Sequence, residues 1–506
     1  MRGLKTGKTK IRHQVFTAIA QMAYEGGNYA ETLERLPYTI IPGEVAEYRD
    51  SIFTERAVVG ERLRLALGLD ARKHSTYHQL SSHLDEAVVA EKYYNPPLIN
   101  VIKFACNKCP DNVITVTDAC QGCLEHPCME VCPKKAIRKK NGRARIDQDL
   151  CIKCGKCINA CRFGAIVRLE RPCRVACGVN CIGSDELGRA EIDYTKCTSC
   201  GQCLVNCPFG AIADKSQIFQ TILATKEEAP VYVALAPAFV GQFGKDATPE
   251  KMKAAFRRLG FTGVYEVGIG ADLCIMEEAE DFLKEVPSKH KFMVTSCCPS
   301  WSDMVRKQFP EFAENISVAL TPMVLTARMI KKKYGKDCKV VFVGPCDAKK
   351  LEASRRSVRS DVDFVLTFEE VLGMFEAKGV DFAKIPKEEE EPLSSCGSDA
   401  RNFAVSGGVA QAVVNAIHEI DPTREVKIAR ADGLEECKKL LLMAKAGKYD
   451  GYLLEGMACP GGCVAGAGTL QPIEKSKKAV AQFAETAGYS CATNTKYKDY
   501  LPLLRE

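Results

Sequence analysis

Twenty-seven cysteines stand among 506 residues, against only seven histidines. Thiolates are soft ligands that favour iron–sulfur clusters or zinc, and so few imidazoles argue against a histidine-rich centre. Three runs carry four thiols at close spacing: Cys120-x2-Cys123-x4-Cys128-x3-Cys132-Pro133, Cys151-x2-Cys154-x2-Cys157-x3-Cys161 and Cys197-x2-Cys200-x2-Cys203-x3-Cys207-Pro208. Zinc ribbons use two CxxC pairs, which does not explain four cysteines per run. Paired runs of this kind hold 4Fe–4S cubes: three thiols of a run bind one cube and the fourth crosses to the other.

The crossing rule predicts one set from Cys120, Cys123, Cys128 and Cys161, and another from Cys151, Cys154, Cys157 and Cys132. The third run has only an incomplete partner, Cys173-x3-Cys177. Taking the missing pair from Cys106-x2-Cys109 gives Cys197, Cys200, Cys203 with Cys177, and Cys106, Cys109, Cys173 with Cys207. That makes four clusters and leaves Cys181 free. The alternative is that Cys181 replaces one of the upstream pair, with Cys106 and Cys109 binding nothing or zinc. A row of cubes moves electrons between a surface partner and a buried site.

Three further cysteine motifs lie downstream: Thr295-Ser296-Cys297-Cys298-Pro299-Ser300-Trp301, Gly344-Pro345-Cys346-Asp347-Ala348-Lys349-Lys350-Leu351-Glu352, and Glu455-Gly456-Met457-Ala458-Cys459-Pro460-Gly461-Gly462-Cys463. Each follows a strand-like run, at 292–294, 340–343 and 452–454. Ligand sites of open α/β sheets collect beyond the carboxyl ends of strands, so distant cysteines could converge there.

The elements that must position these groups divide the chain in three. Residues 1–95 form a helical region, with helical stretches expected over Val15–Tyr24 and Val45–Leu69 and read as a cap. Residues 96–225 hold seventeen cysteines and only short strands, so metal must supply the cohesion. From 226 to 506, apolar β-branched runs alternate with helices at 250–259 and 277–286, the pattern of an α/β domain with mostly parallel strands. The run Lys387–Pro392 reads as a solvated loop, and Gly407-Gly408 as a helix start. Trp301, Cys274, Cys338, Cys396, Cys437 and Cys491 read as core residues. Gly461, Gly462, Gly466 and Gly468 lack the Gly-Lys-Ser/Thr of a phosphate loop and suggest close backbone approach to a bulky cluster.

Composition narrows the class. At 46% hydrophobic and 26% charged, the chain reads as globular. A net charge of +6 argues against dedicated nucleic-acid binding and leaves room for a local basic patch facing an acidic electron carrier. No apolar run approaches the ~18 residues of a membrane span, and the basic N-terminus reads as a helix rather than a signal peptide. The expectation is a cytoplasmic protein.

TSCCPSW, PCDAKKLE and EGMACPGGC resemble the three signature motifs of the FeFe, or iron-only, hydrogenases, anaerobic enzymes interconverting protons, electrons and dihydrogen. The resemblance covers 226 to the C-terminus and is closest to a less-studied subgroup with a cysteine-rich, ferredoxin-like front domain. It implies an α/β catalytic domain preceded by an α+β ferredoxin-like domain. It also implies that Cys298, Cys346, Cys459 and Cys463 hold the cubane of the H-cluster, with Cys463 bridging to a diiron unit carrying CO, cyanide and a dithiolate. Lys349 would bond a cyanide, Met457 would pack on the diiron unit, and Cys297 would pass protons to the bridgehead amine, with Glu278 beside it and Ser317 next on the path to solvent. Asp281 and Glu285 stand where longer Glu and surface Arg residues are usual, and Gly344 replaces a usual Met. Expected partners are a ferredoxin or similar carrier and hydrogenase maturation proteins. Rival readings are an iron–sulfur cluster assembly factor, a slow hydrogen sensor and a pure polyferredoxin.

Overall fold

The computed structural model describes residues 3–73, 75–355 and 360–504. Three helices open the chain where two stretches are expected. Thr6 caps α1 (Gly7–Glu25) through a reciprocal bond with Thr9. Asn28 caps α2 (Tyr29–Ile40) by accepting the Glu31 amide. Then α3 (Ile52–Ala66) follows its own Ser51 cap. Pro37 disguises α2 in the sequence, because an interior proline usually breaks a helix.

These helices do more than cap the molecule. Lys8 on α1 donates to the carbonyls of Leu204, Val205 and Cys207, at 3.2, 3.0 and 3.0 Å. Arg49 reaches the carbonyls of Ala105 and Phe209. Lys8 thus satisfies the open carbonyl end of the Gln202–Asn206 helix, where its dipole favours a cation.

The cysteine-rich stretch contains eight short strands in four antiparallel pairs. β1 (Ile99–Val101) pairs with β8 (Ile212–Asp214), and β2 (Val113–Val116) with β5 (Ile166–Leu169). β3 (Ile137–Lys140) pairs with β4 (Arg143–Ile146), and β6 (Ile182–Ser184) with β7 (Ala190–Ile192). Two-stranded ribbons are marginal alone. Here a small core of Ile114, Ile137, Ala144 and Ile166 packs directly on the thiols Cys128 and Cys157.

The remainder is α/β, built on two parallel sheets. One runs β10 (Gly263–Glu266), β9 (Val231–Leu235), β12 (Lys339–Gly344), β13 (Phe364–Thr367). The other runs β11 (Met293–Val294), β15 (Tyr452–Met457), β14 (Lys427–Asp432). Strands such as β9, buried throughout, read as unbroken apolar runs because helices cover both faces. The helix expected from 277 starts nine residues earlier, spanning Gly268–Glu285. The 387–392 run is exposed, with Glu391 alone half-buried, and its Glu389 pairs with Arg258 and Glu391 with Arg257. Among the described residues, no helix is long and apolar enough to cross a membrane.

Candidate active site

The three downstream motifs leave their strands at the carboxyl ends of both sheets. TSCCPSW follows β11 and EGMACPGGC spans the end of β15, in one sheet; PCDAKKLE follows β12, in the other. Between them lies a cavity with almost wholly apolar walls. Cys298, Cys346, Cys459 and Cys463 all line it, together with Cys297, Lys349 and Met457.

Buried carboxylates and lysines hold these loops in place. Glu455, fully buried, accepts the amides of Gly407 and Ala410 at 2.7 and 2.8 Å, fixing β15 to the start of the Gly408–Ile420 helix. Lys350 is equally buried and donates to Asp214 at 2.9 Å and Glu370 at 2.8 Å. Chain packing by itself demands glycine at several of these positions. A Cβ on Gly462 would meet the Ser406 amide at 2.5 Å, one on Gly466 the Pro345 carbonyl at 2.3 Å, and one on Gly456 the ring of Trp301 at 2.3 Å. Trp301 is fully buried, as a core residue should be. The five further cysteines are buried too, and Cys396 also donates to Glu266.

Gly344 explains its own identity. A Cβ there would lie 2.5 Å from the ring of Phe342, which itself lines the cavity. Residues two apart on a strand share a face, so the Phe342 ring occupies the space that a side chain at 344 would take.

Burial sets the charges in this cavity. It pushes the Cys298, Cys346 and Cys459 thiols up, and Cys463 to about 12. Such thiols give up their protons to a bound metal rather than to water. Burial also works against the Lys349 ammonium, but Glu352, 2.7 Å away, holds its pKa above the ordinary value. Lys349 also donates to the Cys297 carbonyl at 3.3 Å.

Behind Cys297, burial raises Glu278 to about 7, against the lowering effect of the Ser296 amide and hydroxyl that donate to it at 2.8 and 3.0 Å. Ser317 donates to Asp281 at 3.2 Å and accepts the Ala319 amide, and no hydrogen bond joins it to Glu278. Ser296, Ser317 and Asp281 instead line a wide polar cleft outside the cavity. Ser296 is therefore the hydroxyl on Glu278, a role the motif conceals because Ser296 looks like a mere neighbour of the cysteines. Glu285 pairs with Lys289 and His290.

The upstream thiols collect around voids of their own. Cys120, Cys123, Cys128 and Cys161 line one cavity, and Cys132, Cys151, Cys154 and Cys157 a second. Cys106, Cys109, Cys173 and Cys207 line a third. Cys177, Cys197, Cys200 and Cys203 lie close enough to influence one another's charge, and Cys181 stands beside them with its sulfur 3.3 Å from that of Cys177. Cys181 is thus a neighbour of the fourth set, not a substitute for Cys106 or Cys109. Among the described residues, no three His, Cys, Asp or Glu side chains converge as a single-ion site; these thiols surround shared voids.

One link between the two halves is absent from any cysteine pattern. Gln202 donates its amide to the Cys459 sulfur at 3.2 Å, while Cys200 lines the main cavity. Four groups of thiols around voids, and a fifth gathered close together, fit 4Fe–4S cubes, and they define an iron–sulfur protein.

Comparison with known proteins narrows the class. Residues 229–467 match the model for the iron only hydrogenase large subunit, C-terminal domain, and 144–167 and 189–212 each match a 4Fe-4S binding domain. The chain is 31% identical, over 67% of its length, to an NADP-reducing hydrogenase subunit of Solidesulfovibrio fructosivorans, covering 60% of that protein. It is 32% identical, over 48% of its length, to the periplasmic Fe hydrogenase large subunit of Nitratidesulfovibrio vulgaris, covering 67% of it. The cytosolic iron-sulfur assembly component 3 of Pongo abelii is 25% identical over 52% of this chain and 67% of that one. The chain belongs to the iron-only hydrogenase family.

Proposed function

We propose that the protein is an FeFe hydrogenase running 2H⁺ + 2e⁻ ⇌ H₂. One observation carries the reading: four cysteines from three distant loops line a single apolar cavity beside Lys349 and Cys297. The residues fit the H-cluster, being soft thiols and one ammonium around an otherwise apolar void. When bound, that cofactor supplies the iron site at which protons and electrons combine. Cys298, Cys346, Cys459 and Cys463 would hold its cubane, and Cys463 its diiron unit. Lys349, kept charged by Glu352, would donate to an anionic cyanide ligand. Met457, at the end of β15, would pack beside it.

Cys297 lines the cavity and burial keeps its thiol protonated, and Glu278 lies behind it, with a pKa suited to exchange near neutrality. Ser296 joins Glu278 to the polar cleft where Ser317 and Asp281 stand. The region 1–95 clamps the 96–225 cluster domain, and 226–506 is the catalytic domain. The four front clusters would take electrons from a ferredoxin or similar carrier, and maturation proteins would load the diiron unit.

Hydrogen uptake and evolution by anaerobically matured protein test the proposal. Cys297→Ala should remove most turnover while iron content stays near that of the parent. A fully active variant would overturn the relay. The likeness to an assembly component supports a second reading, a cluster-assembly role without the diiron unit. Infrared bands of bound CO and cyanide after maturation decide between the two.

A further inference from the structure

Seven lysines and arginines between 134 and 145 crowd one hairpin and its approach. Between 134 and 168 there are eleven lysines and arginines against two aspartates, a larger excess than the +6 of the whole chain. The register of β3 and β4 sets Arg138 opposite Arg145 and Lys140 opposite Arg143. Like charges directly across a pair of strands weaken the pairing. All four side chains are exposed. Among the described residues only Arg143 has a recorded ion pair, with the exposed Asp118. A fold gains nothing from this arrangement; an anionic surface laid upon it does.

The other side of the same hairpin faces the thiols. Ile137 and Ile146 line the cavity of Cys132, Cys151, Cys154 and Cys157. Ala144 lines the cavity of Cys120, Cys123, Cys128 and Cys161, and its amide donates to the Cys120 sulfur at 3.5 Å. Whatever rests on the outer face therefore lies one strand-thickness from two cluster sites. Two exposed apolar side chains, Ile152 and Phe163, flank these cavities and could add contact area.

We propose that the outer face of the β3–β4 hairpin is the docking surface for a small acidic electron-carrier protein. Its position over two cluster sites favours such a redox partner over a nucleic acid, which would need the charge but not the thiols. The transfer is a single electron, the carrier being oxidised and a front cluster reduced, with no bond made or broken. The inference rests on the front thiols holding clusters, as in the function proposed above.

The test uses full-length, cluster-loaded protein and an acidic two-cluster bacterial ferredoxin as the probe. Calorimetry should show binding that weakens as salt rises from about 50 to about 300 mM. The double variant Arg138→Glu/Lys140→Glu puts a carboxylate opposite Arg145 and Arg143, so its melting temperature should hold or rise. Its affinity for ferredoxin should fall roughly tenfold or more, as should the rate of cluster reduction by ferredoxin. Reduction of the same clusters by dithionite should not change. Unaltered affinity in the variant, salt-insensitive binding, or tighter binding to an oligonucleotide than to ferredoxin would each overturn the proposal. None of these readouts involves hydrogen, so a chain without turnover would still give them.

Discussion

Glu278 sits where a carboxyl group is hard to keep charged. It is fully buried, and among the described residues one of its oxygens has no partner while the other is bonded by Ser296 alone. The pKa of about 7 means that the folded protein binds this proton more tightly than the unfolded chain does. The burial cost is therefore absent below the ordinary carboxyl range and complete once pH passes about 7, on the order of 3 kcal/mol. Glu278→Gln removes an ionisable group and should leave the protein more stable than its parent at pH 8, with the gap closing toward pH 5. Infrared difference spectra should show a carboxylic acid band titrating near pH 7 in the parent and missing from the variant. If that band survives the substitution, another buried acid such as Asp272 is its source.

At the scale of elements, β12 couples two positions that sequence reading treats separately. Because the Phe342 ring lies 2.5 Å from where a Gly344 Cβ would sit, restoring methionine at 344 alone should overpack the cavity wall. Gly344→Met should cost about 1–3 kcal/mol, seen as a lower melting temperature, and Phe342→Ala added to it should recover most of the loss. The spacing of cysteines foretells which thiols share a void, and the apolar runs foretell β9, β12 and β15. β14 stays hidden because Lys427-Ile428-Ala429-Arg430-Ala431-Asp432 lacks an apolar run and has no fully buried residue. The Gly268–Glu285 helix starts on Gly-Ile-Gly-Ala-Asp, which reads as a turn. No local pattern announces the Lys350–Asp214 or Gln202–Cys459 link, since the partners lie more than a hundred residues apart.

Across the whole molecule, the front clusters and the main cavity are joined by specific polar contacts. Asp214 on β8 accepts from both Lys350 and Arg12, at 2.9 and 3.4 Å, so three regions of the chain meet at one buried carboxylate. Burial alone would raise its pKa, but Lys350 and Arg12 outweigh that and hold it at about 2. Gln202 makes the matching contact at the sulfur of Cys459. An N–H donated to a ligand thiolate stabilises the more negative, reduced form of a cluster. Gln202→Leu should therefore shift the midpoint potential of the main cubane about 40 mV more negative. That is the one-electron equivalent of a hydrogen bond of ~1 kcal/mol. Redox titration followed by electron paramagnetic resonance would read the shift, and an unmoved potential would remove Gln202 from the electron route.

β2 and β5 lie side by side and run in opposite directions. The stretch from Thr117 to Ala165, which packs around its own small core, thus leaves and re-enters the rest of the protein through one narrow doorway. Segments whose ends lie together can be lengthened, shortened or exchanged without disturbing their host. A lineage, or an engineer, could splice in extra cluster units or trim them away while the main cavity stays as it is.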